Sequence, residues 1–363
     1  MRKLRIMHTE SSCGWGGQEL RVLNECAGMA ARGHEVLIAA PDESPIRLEA
    51  VSKNLQAVGI PINRKSYSGY RVLREAIIRF EPDILVTHSS TDSWLTAMVS
   101  IGNRVPIVRT RHVSAPIPAN LATRWLYTRA CAHVVTTGEA LRRQVMEQTG
   151  LDADRVTSVP TGIDLQTFSP GDRQASRTQV GLPEATVIVG IVATLRSWKG
   201  HRFLLDAFAS IQDERMQLVI VGDGPGRDNL QAQCRALGIE ERVVMSGNQK
   251  DVATWMRSFD LFVLPSYANE GVPQALMQAM ACGLPVITTP VGAIGEIVEN
   301  ELTGLMVTPQ SADEIADAIC RLKDDSMLRD RLAKAALAVA RARFSSDRML
   351  NAMEGVFARV LGV

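Results

Sequence analysis

An alternation that runs almost from end to end restricts the fold more than any other feature of this chain. Short runs rich in Val and Ile are each followed by an amphipathic stretch. In the first half the runs are Leu4–His8, Glu35–Ala40, Ile84–Thr87, Ile107–Arg109 and Val134–Thr136. Between them lie Gly17–Arg32, Tyr70–Phe80 and Thr91–Ile101. The runs are apolar on both faces, the pattern of strands in a parallel sheet covered by helices on both sides. Residues Val159–Asp172 (VPTGIDLQTFSPGD) interrupt the series with Pro, Gly and turn formers, and read as a linker. The alternation then restarts with Val187–Val192, Gln217–Val221, Val243–Met245, Leu261–Leu264, Pro285–Thr288 and Gly304–Val307. Helices are predicted over His201–Ile211, Asp228–Leu237, Pro273–Cys282 and Ala312–Lys323, and over Met327–Leu361 with a break around Phe344–Ser346.

A chain of 363 residues is too long for one ordinary core. The economical expectation is an α/β protein of two doubly wound, Rossmann-like domains facing across a cleft. Residues 1–165 make the first domain, 166–343 the second, and 344–363 a terminal helix. Ligands of such sheets bind outside the carboxyl ends of the strands, so the chemistry belongs in the loops that follow them.

Charge and cysteine content narrow the functional classes. The net charge of +1 excludes a strongly basic nucleic-acid binder. Residues 1–163 hold 20 Lys and Arg against 15 Asp and Glu, and the remainder holds 20 against 24. Seventeen of the 20 cations in the first half are Arg. That half is either an ordinary solvated surface or a face that meets an anionic acceptor or a membrane surface. The six cysteines show no C-x-x-C spacing and read as reduced thiols. The N-terminus has no apolar h-region, and no run reaches the ~18 apolar residues of a membrane span. The expected location is cytoplasmic, with any membrane contact peripheral.

Several strand-end loops carry candidate chemistry. Ser11–Glu19 contains Gly14, Gly16 and Gly17, which let backbone approach a ligand at a helix start or simply form a tight turn. Their spacing is not G-x-G-x-x-G, which disfavours a nicotinamide dinucleotide fold. His88 and His112 each follow a strand. His88 reads equally as structural or functional, and His112, beside Arg109 and Arg111, as a site residue. Arg196 and Lys199, in the loop Ala193–Gly200, suit a diphosphate at a helix N-terminus. Gly222 and Gly224 form a further strand-end turn. Glu270, before the helix that starts near Pro273, either caps that helix or holds sugar hydroxyls.

The segment Ser266–Pro290 (SYANEGVPQALMQAMACGLPVITTP) resembles the signature of the retaining GT-B glycosyltransferases, specifically glycosyltransferase family 4. The Gly16-Gly17 loop, the strand-end His, the linker residues Gly162, Ile163, Asp164, Phe168 and Pro170, the Lys199-Gly200 loop and the Gly222–Pro225 turn fit that pattern in order. The resemblance implies a GT-B fold with an acceptor-side first domain, a donor-binding second domain and a last helix that crosses back to the first. It also implies an enzyme that moves a sugar from a nucleoside-diphosphate sugar to a glycan, lipid-linked or other acceptor hydroxyl, with retention. Glu270 and His112 would contact the transferred sugar. Gly271, Val272 and Pro273 would line the donor with backbone, Lys199 would neutralise the diphosphate, and Gly16 and Gly17 would shape the pocket. No metal or other cofactor is expected. A uridine or guanosine diphosphate sugar is favoured, with a cytoplasmic role in cell-surface polysaccharide, lipopolysaccharide or lipid-linked glycan synthesis.

Two departures from the family pattern stand out. Gln278 replaces the usual second Glu, eight residues after Glu270, that accepts from the ribose diol. An amide has one acceptor oxygen where a carboxylate has two. Thr194 replaces an Arg five residues before Lys199, and Arg196 is the expected substitute. These departures keep a catalytically impaired binding relative in view, and a nucleotide-sugar epimerase of the same fold is a separate alternative.

Overall fold

The apolar runs become parallel strands in a computed structural model that describes residues 2–102, 105–184, 186–268 and 270–363. The chain divides into two units: residues up to Gly162 together with Ser346–Val363, and Ile163–Ser345.

The first unit is built on β1 (Arg5–Thr9), β2 (Glu35–Ala40), β3 (Gln56–Gly59), β4 (Ile84–Thr87), β5 (Ile107–Arg111), β6 (His133–Thr136) and β7 (Val156–Ser158). They lie in the order β3-β2-β1-β4-β5-β6-β7, every pairing parallel. The inner strands β4 and β6 are buried at every residue, which is why their sequences are so apolar. β3 and β7 are absent from the sequence expectation. Both are edge strands with one neighbour each, so neither needs an apolar residue at every position. β3 reads Gln-Ala-Val-Gly and is half-buried, and β7 is three residues long.

The helix Ser346–Leu361 belongs to this unit. Met349, Leu350, Met353, Val356 and Phe357 are buried with Leu4, Ile6, Val22 and Leu23 in one core. At about 1.5–3 kcal/mol for each large apolar side chain removed from water, that face is part of the unit's stability. Contact with the helix Gly17–Ala31 is close enough that a Cβ on Gly28 would lie 2.5 Å from Leu350.

The second unit is built on β8 (Val187–Val192), β9 (Met216–Val221), β10 (Val243–Gly247), β11 (Leu261–Leu264), β12 (Val286–Thr288) and β13 (Leu305–Met306). They lie in the order β10-β9-β8-β11-β12-β13, again all parallel. The helices Ser326–Arg343 and Ser346–Leu361 are separated at Phe344–Ser345. There the N–H of Ile163 donates to the carbonyl of Phe344 at 2.7 Å, so the second unit begins and ends at one paired point. Among the described residues no helix is long and apolar enough to cross a membrane, and all six cysteines are free.

Gly190, in β8, lies against Phe259, and a Cβ there would fall 2.0 Å from the fully buried ring. Gly190→Ala should therefore cost about 1–3 kcal/mol of overpacking. Gly295→Ala, where a Cβ meets nothing within 4 Å, should change stability by less than about 0.5 kcal/mol. Urea midpoints of the two variants against the parent protein measure the difference, and equal midpoints would refute it.

Candidate active site

In the second unit the strand order reverses between β8 and β11, and the loops after these two strands carry its candidate chemistry. The loop after β8 contains a short 3₁₀ turn, Ser197–Lys199, and passes through Gly200 into the helix His201–Ser210. Gly200 has φ +78°, and a Cβ on it would sit 2.0 Å from the carbonyl oxygen of Pro265, so only glycine lets the two loops meet. They are joined by the Tyr267 N–H, which donates to the Trp198 carbonyl at 2.9 Å, and by the edge-to-face rings of Phe203 and Tyr267.

The result is an ion pair: Lys199 Nζ donates to Glu270 Oε1 at 2.6 Å. Ser266 Oγ donates to the same oxygen at 2.6 Å. Glu270 is only 4% exposed, so its charge is held by these two donors in place of water. Among the described residues its other oxygen, Oε2, takes no partner, leaving an acceptor at a strand-end crevice. From behind, Gly292 presses on the Glu270 backbone, where a Cβ would lie 2.0 Å from its carbonyl oxygen.

The other residues expected at this end are placed as follows. Gly222 and Gly224 clamp the loop after β8. Their Cβ atoms would fall 2.1 Å from the Ala193 carbonyl oxygen and 2.9 Å from the Leu195 nitrogen. Leu195 N–H donates to the Asp223 carbonyl, and Gly226 N–H to the Leu195 carbonyl, both at 3.0 Å. Arg196 is exposed, with its guanidinium 5.8 Å from the centre of the Trp198 ring. It forms no ion pair among the described residues. Gly271 and Val272 are half-buried, and Pro273, which has no N–H, caps the helix Gln274–Ala281. Gln278 is half-buried on that helix. Asn269 of the same motif lies outside the described residues.

In the first unit the strand order reverses between β1 and β4. Gly16 and Gly17 open the helix Gly17–Ala31, as the sequence suggests, and the loop before them is tied down by Glu10. The Glu10 carboxylate accepts from Ser12 N–H at 2.9 Å and from Gln18 Nε2 at 2.6 Å, and also from Ser89 Oγ. Asp92, fully buried, accepts from Thr9 Oγ1 at 2.9 Å, His88 N–H at 2.9 Å and Ser89 N–H at 2.8 Å. Burial raises the pKa of both carboxyls. His112 follows β5, is half-buried, and meets His88, which in turn meets His8. Arg109 lies over the Tyr127 ring at 4.5 Å, and Arg111 donates to the Tyr127 hydroxyl at 3.1 Å. The helix Gly17–Ala31 also holds a fully buried pair, Arg21 and Glu25, 3.8 Å apart. Burial pushes Glu25 up to about 7 despite that neighbour. Ahead of β7 a 3₁₀ turn spans Ala153–Arg155, with Asp152 at its N-cap.

Glu10, Asp92, His8 and the Arg21–Glu25 pair are absent from the sequence expectation. Two signals were available: an acid immediately after β1, and the Ser89-x-x-Asp92 capping pattern at the start of the helix Ser90–Val99.

Two family models match the chain. Glycosyltransferase Family 4 covers residues 15–167, and Glycosyl transferases group 1 covers residues 172–339. The chain is 28% identical over 390 residues to a D-inositol 3-phosphate glycosyltransferase of Xylanimonas cellulosilytica, spanning 95% of this chain and 92% of that protein. In fold it is similar to Anabaena Alr3699/HepE, solved in complex with UDP, at a TM-score of 0.87 and 22% identity. That match covers 98% of this chain and 99% of the other. It is also similar to a glycosyltransferase from Rickettsia africae, at a TM-score of 0.89 and 19% identity, over 99% of both chains.

The 2.6 Å contact between Lys199 and Glu270 should couple the two residues energetically. Lys199→Met strands a buried carboxylate and should cost about 1–3 kcal/mol of unfolding free energy. Glu270→Gln in the same background should recover part of that loss, giving a coupling of about 0.5–3 kcal/mol in the double-mutant cycle. Urea unfolding of the four proteins measures it, and strictly additive losses would show that the pair is uncoupled.

Proposed function

The chain belongs to glycosyltransferase family 4 and has the GT-B fold, and from that premise we propose that it moves a sugar from a nucleoside-diphosphate sugar to an acceptor hydroxyl, retaining the anomeric configuration. The observation that carries this reading is the Lys199–Glu270 pair at the β8/β11 reversal. A cation and a desolvated carboxylate, one of whose oxygens has no partner among the described residues, stand side by side there. A diphosphate leaving group gains negative charge as its bond to the sugar breaks. A cation already fixed at that point lowers the barrier without reorganisation. Lys199 supplies it, Arg196 adds a second cation from its exposed position, and the first-turn N–H groups of Gln274–Ala281 add partial positive charge. Glu270 Oε2 accepts from hydroxyls of the transferred sugar, and we assign His112 the sugar contact that the family resemblance implies.

In this mechanism the cations need no divalent metal to assist them. Attack comes from the face the phosphate leaves, and the departing phosphate takes the acceptor proton. The Anabaena neighbour, also solved with UDP-glucose, supports a uridine diphosphate sugar as the first donor to try. The inositol phosphate transferases among the relatives support a polar hydroxylated acceptor. We place the work in the cytoplasm, with the Arg-rich first unit as the face for an anionic or lipid-linked acceptor.

Titration of the purified chain in chelator against uridine, guanosine and adenosine diphosphates, their sugar conjugates and NAD tests the donor site. One nucleotide family at 100 times its dissociation constant should stabilise the fold by about 2.7 kcal/mol. If none binds, the transferase reading fails and the impaired-relative reading replaces it. Gln278→Glu restores a two-oxygen acceptor and should tighten nucleotide binding by about 1–3 kcal/mol, measured by calorimetry. Arg196→Ala should weaken donor binding, and unchanged binding and turnover would remove Arg196 from the site.

A further inference from the structure

His8, His88 and His112 come from the carboxyl ends of β1, β4 and β5, three adjacent strands of the first sheet. The parallel register sets His8 opposite Val86, and Val86 opposite Val108, so His88 and His112 follow in the chain just beyond the level of His8. His8 Nδ1 lies 3.0 Å from His88 Nε2, and His88 Nδ1 lies 3.1 Å from His112 Nε2. The first two ring planes are within 6° of parallel, and the second pair is tilted by 38°.

Counting protons constrains this row. Burial holds His8 down to about 3 and lowers His88 and His112 as well, so at neutral pH each ring carries one N–H. His88 has a ring nitrogen on either side, so it must donate through one nitrogen and accept through the other. Its neighbours are thereby forced into opposite roles, and all three rings share one tautomer. At the far end His8 is fully buried, and its Nε2 has no partner among the described residues. Among backbone groups an orphaned buried N–H is rarer than an under-satisfied acceptor, and we carry the same preference over to this fully buried ring nitrogen. The proton of His8 therefore sits on Nδ1, donating to His88. His88 Nδ1–H donates to His112 Nε2, and the remaining N–H of the row is on His112 Nδ1. Among the described residues that nitrogen makes no hydrogen bond.

We propose that His8 and His88 are positioning residues that lock His112 as the Nδ1–H tautomer, so that it meets the transferred sugar as a hydrogen-bond donor. The proposal rests on the reading of His112 as a sugar contact given above. It also specifies that contact: His112 donates to a hydroxyl oxygen and has no lone pair at Nδ1 with which to act as a base. The acceptor proton must then leave by another group, which fits its transfer to the departing phosphate.

The test is long-range ¹H–¹⁵N correlation spectroscopy on the full chain labelled with ¹⁵N-histidine, at pH 7. Signals are assigned by single replacement of each of the three residues. Three neutral rings protonated at Nδ1 are expected, and Nε2–H or a charged ring at His112 would overturn the proposal. His8→Phe, two rings away from the sugar contact, should release His112 into a mixture of tautomers. It should also lower kcat by about tenfold, the loss of one hydrogen bond, with the donor KM little changed. His8→Asn keeps a donor nitrogen near the Nδ1 position and should restore both. An unaltered His112 signal in His8→Phe would sink the row, and this readout does not depend on turnover. Undiminished transfer by His112→Ala would overturn the role given to His112 while leaving the tautomer result standing, which separates the two failures.

Discussion

Both units depend on strands that are buried on both faces. A strand such as Ile84–Thr87 or Leu261–Leu264, apolar at almost every position, stays out of water only if helices cover the sheet above and below. The parallel pairing that follows puts all carboxyl ends on one edge, and connections leaving to either side open a crevice where the order reverses. The carboxylates, histidines and lysine named as site candidates lie at such an edge. Lys199 and Glu270 follow β8 and β11, Glu10 and His88 follow β1 and β4, and His112 follows β5.

Function at these edges carries a cost in desolvation. Glu270 is held away from water by a loop that meets its neighbour only because Gly200 and Gly292 have no side chain. A carboxylate fixed this way makes fewer hydrogen bonds than it would in water, and its second oxygen, without a partner among the described residues, is ready for another donor. The first unit shows the same economy. Glu10 accepts from the Ser12 N–H of the glycine loop, and Asp92 from the His88 N–H at the end of β4.

What the sequence could reveal follows from how local each signal is. Inner strands are legible because burial on both faces leaves a continuous apolar run. Gln56–Gly59 and Val156–Ser158 are not, because an edge strand borrows its stability from one neighbour and need show no run of its own. Lys199 and Glu270 can be singled out separately, since each sits at a strand-to-helix boundary visible in a dozen residues. That they touch, across 71 positions, is a fact of the sheet order. The histidine row is further from view. His8 lies at the end of an apolar strand and looks like a core residue, and its partner is 80 positions away. His88 could be read either way because its two neighbours belong to different strands.

The pairing of Ile163 with Phe344 has a consequence for how the chain is organised as a unit of inheritance. The last helix, Ser346–Leu361, completes the core of the first unit, so the second unit is an insertion within the first, not a successor to it. Its two ends meet as the ends of a loop do, which is the condition under which whole domains are inserted or exchanged without disturbing the host. A recombination event that cut at this one point could replace the unit bearing Lys199 and Glu270 while leaving the unit bearing His112 intact.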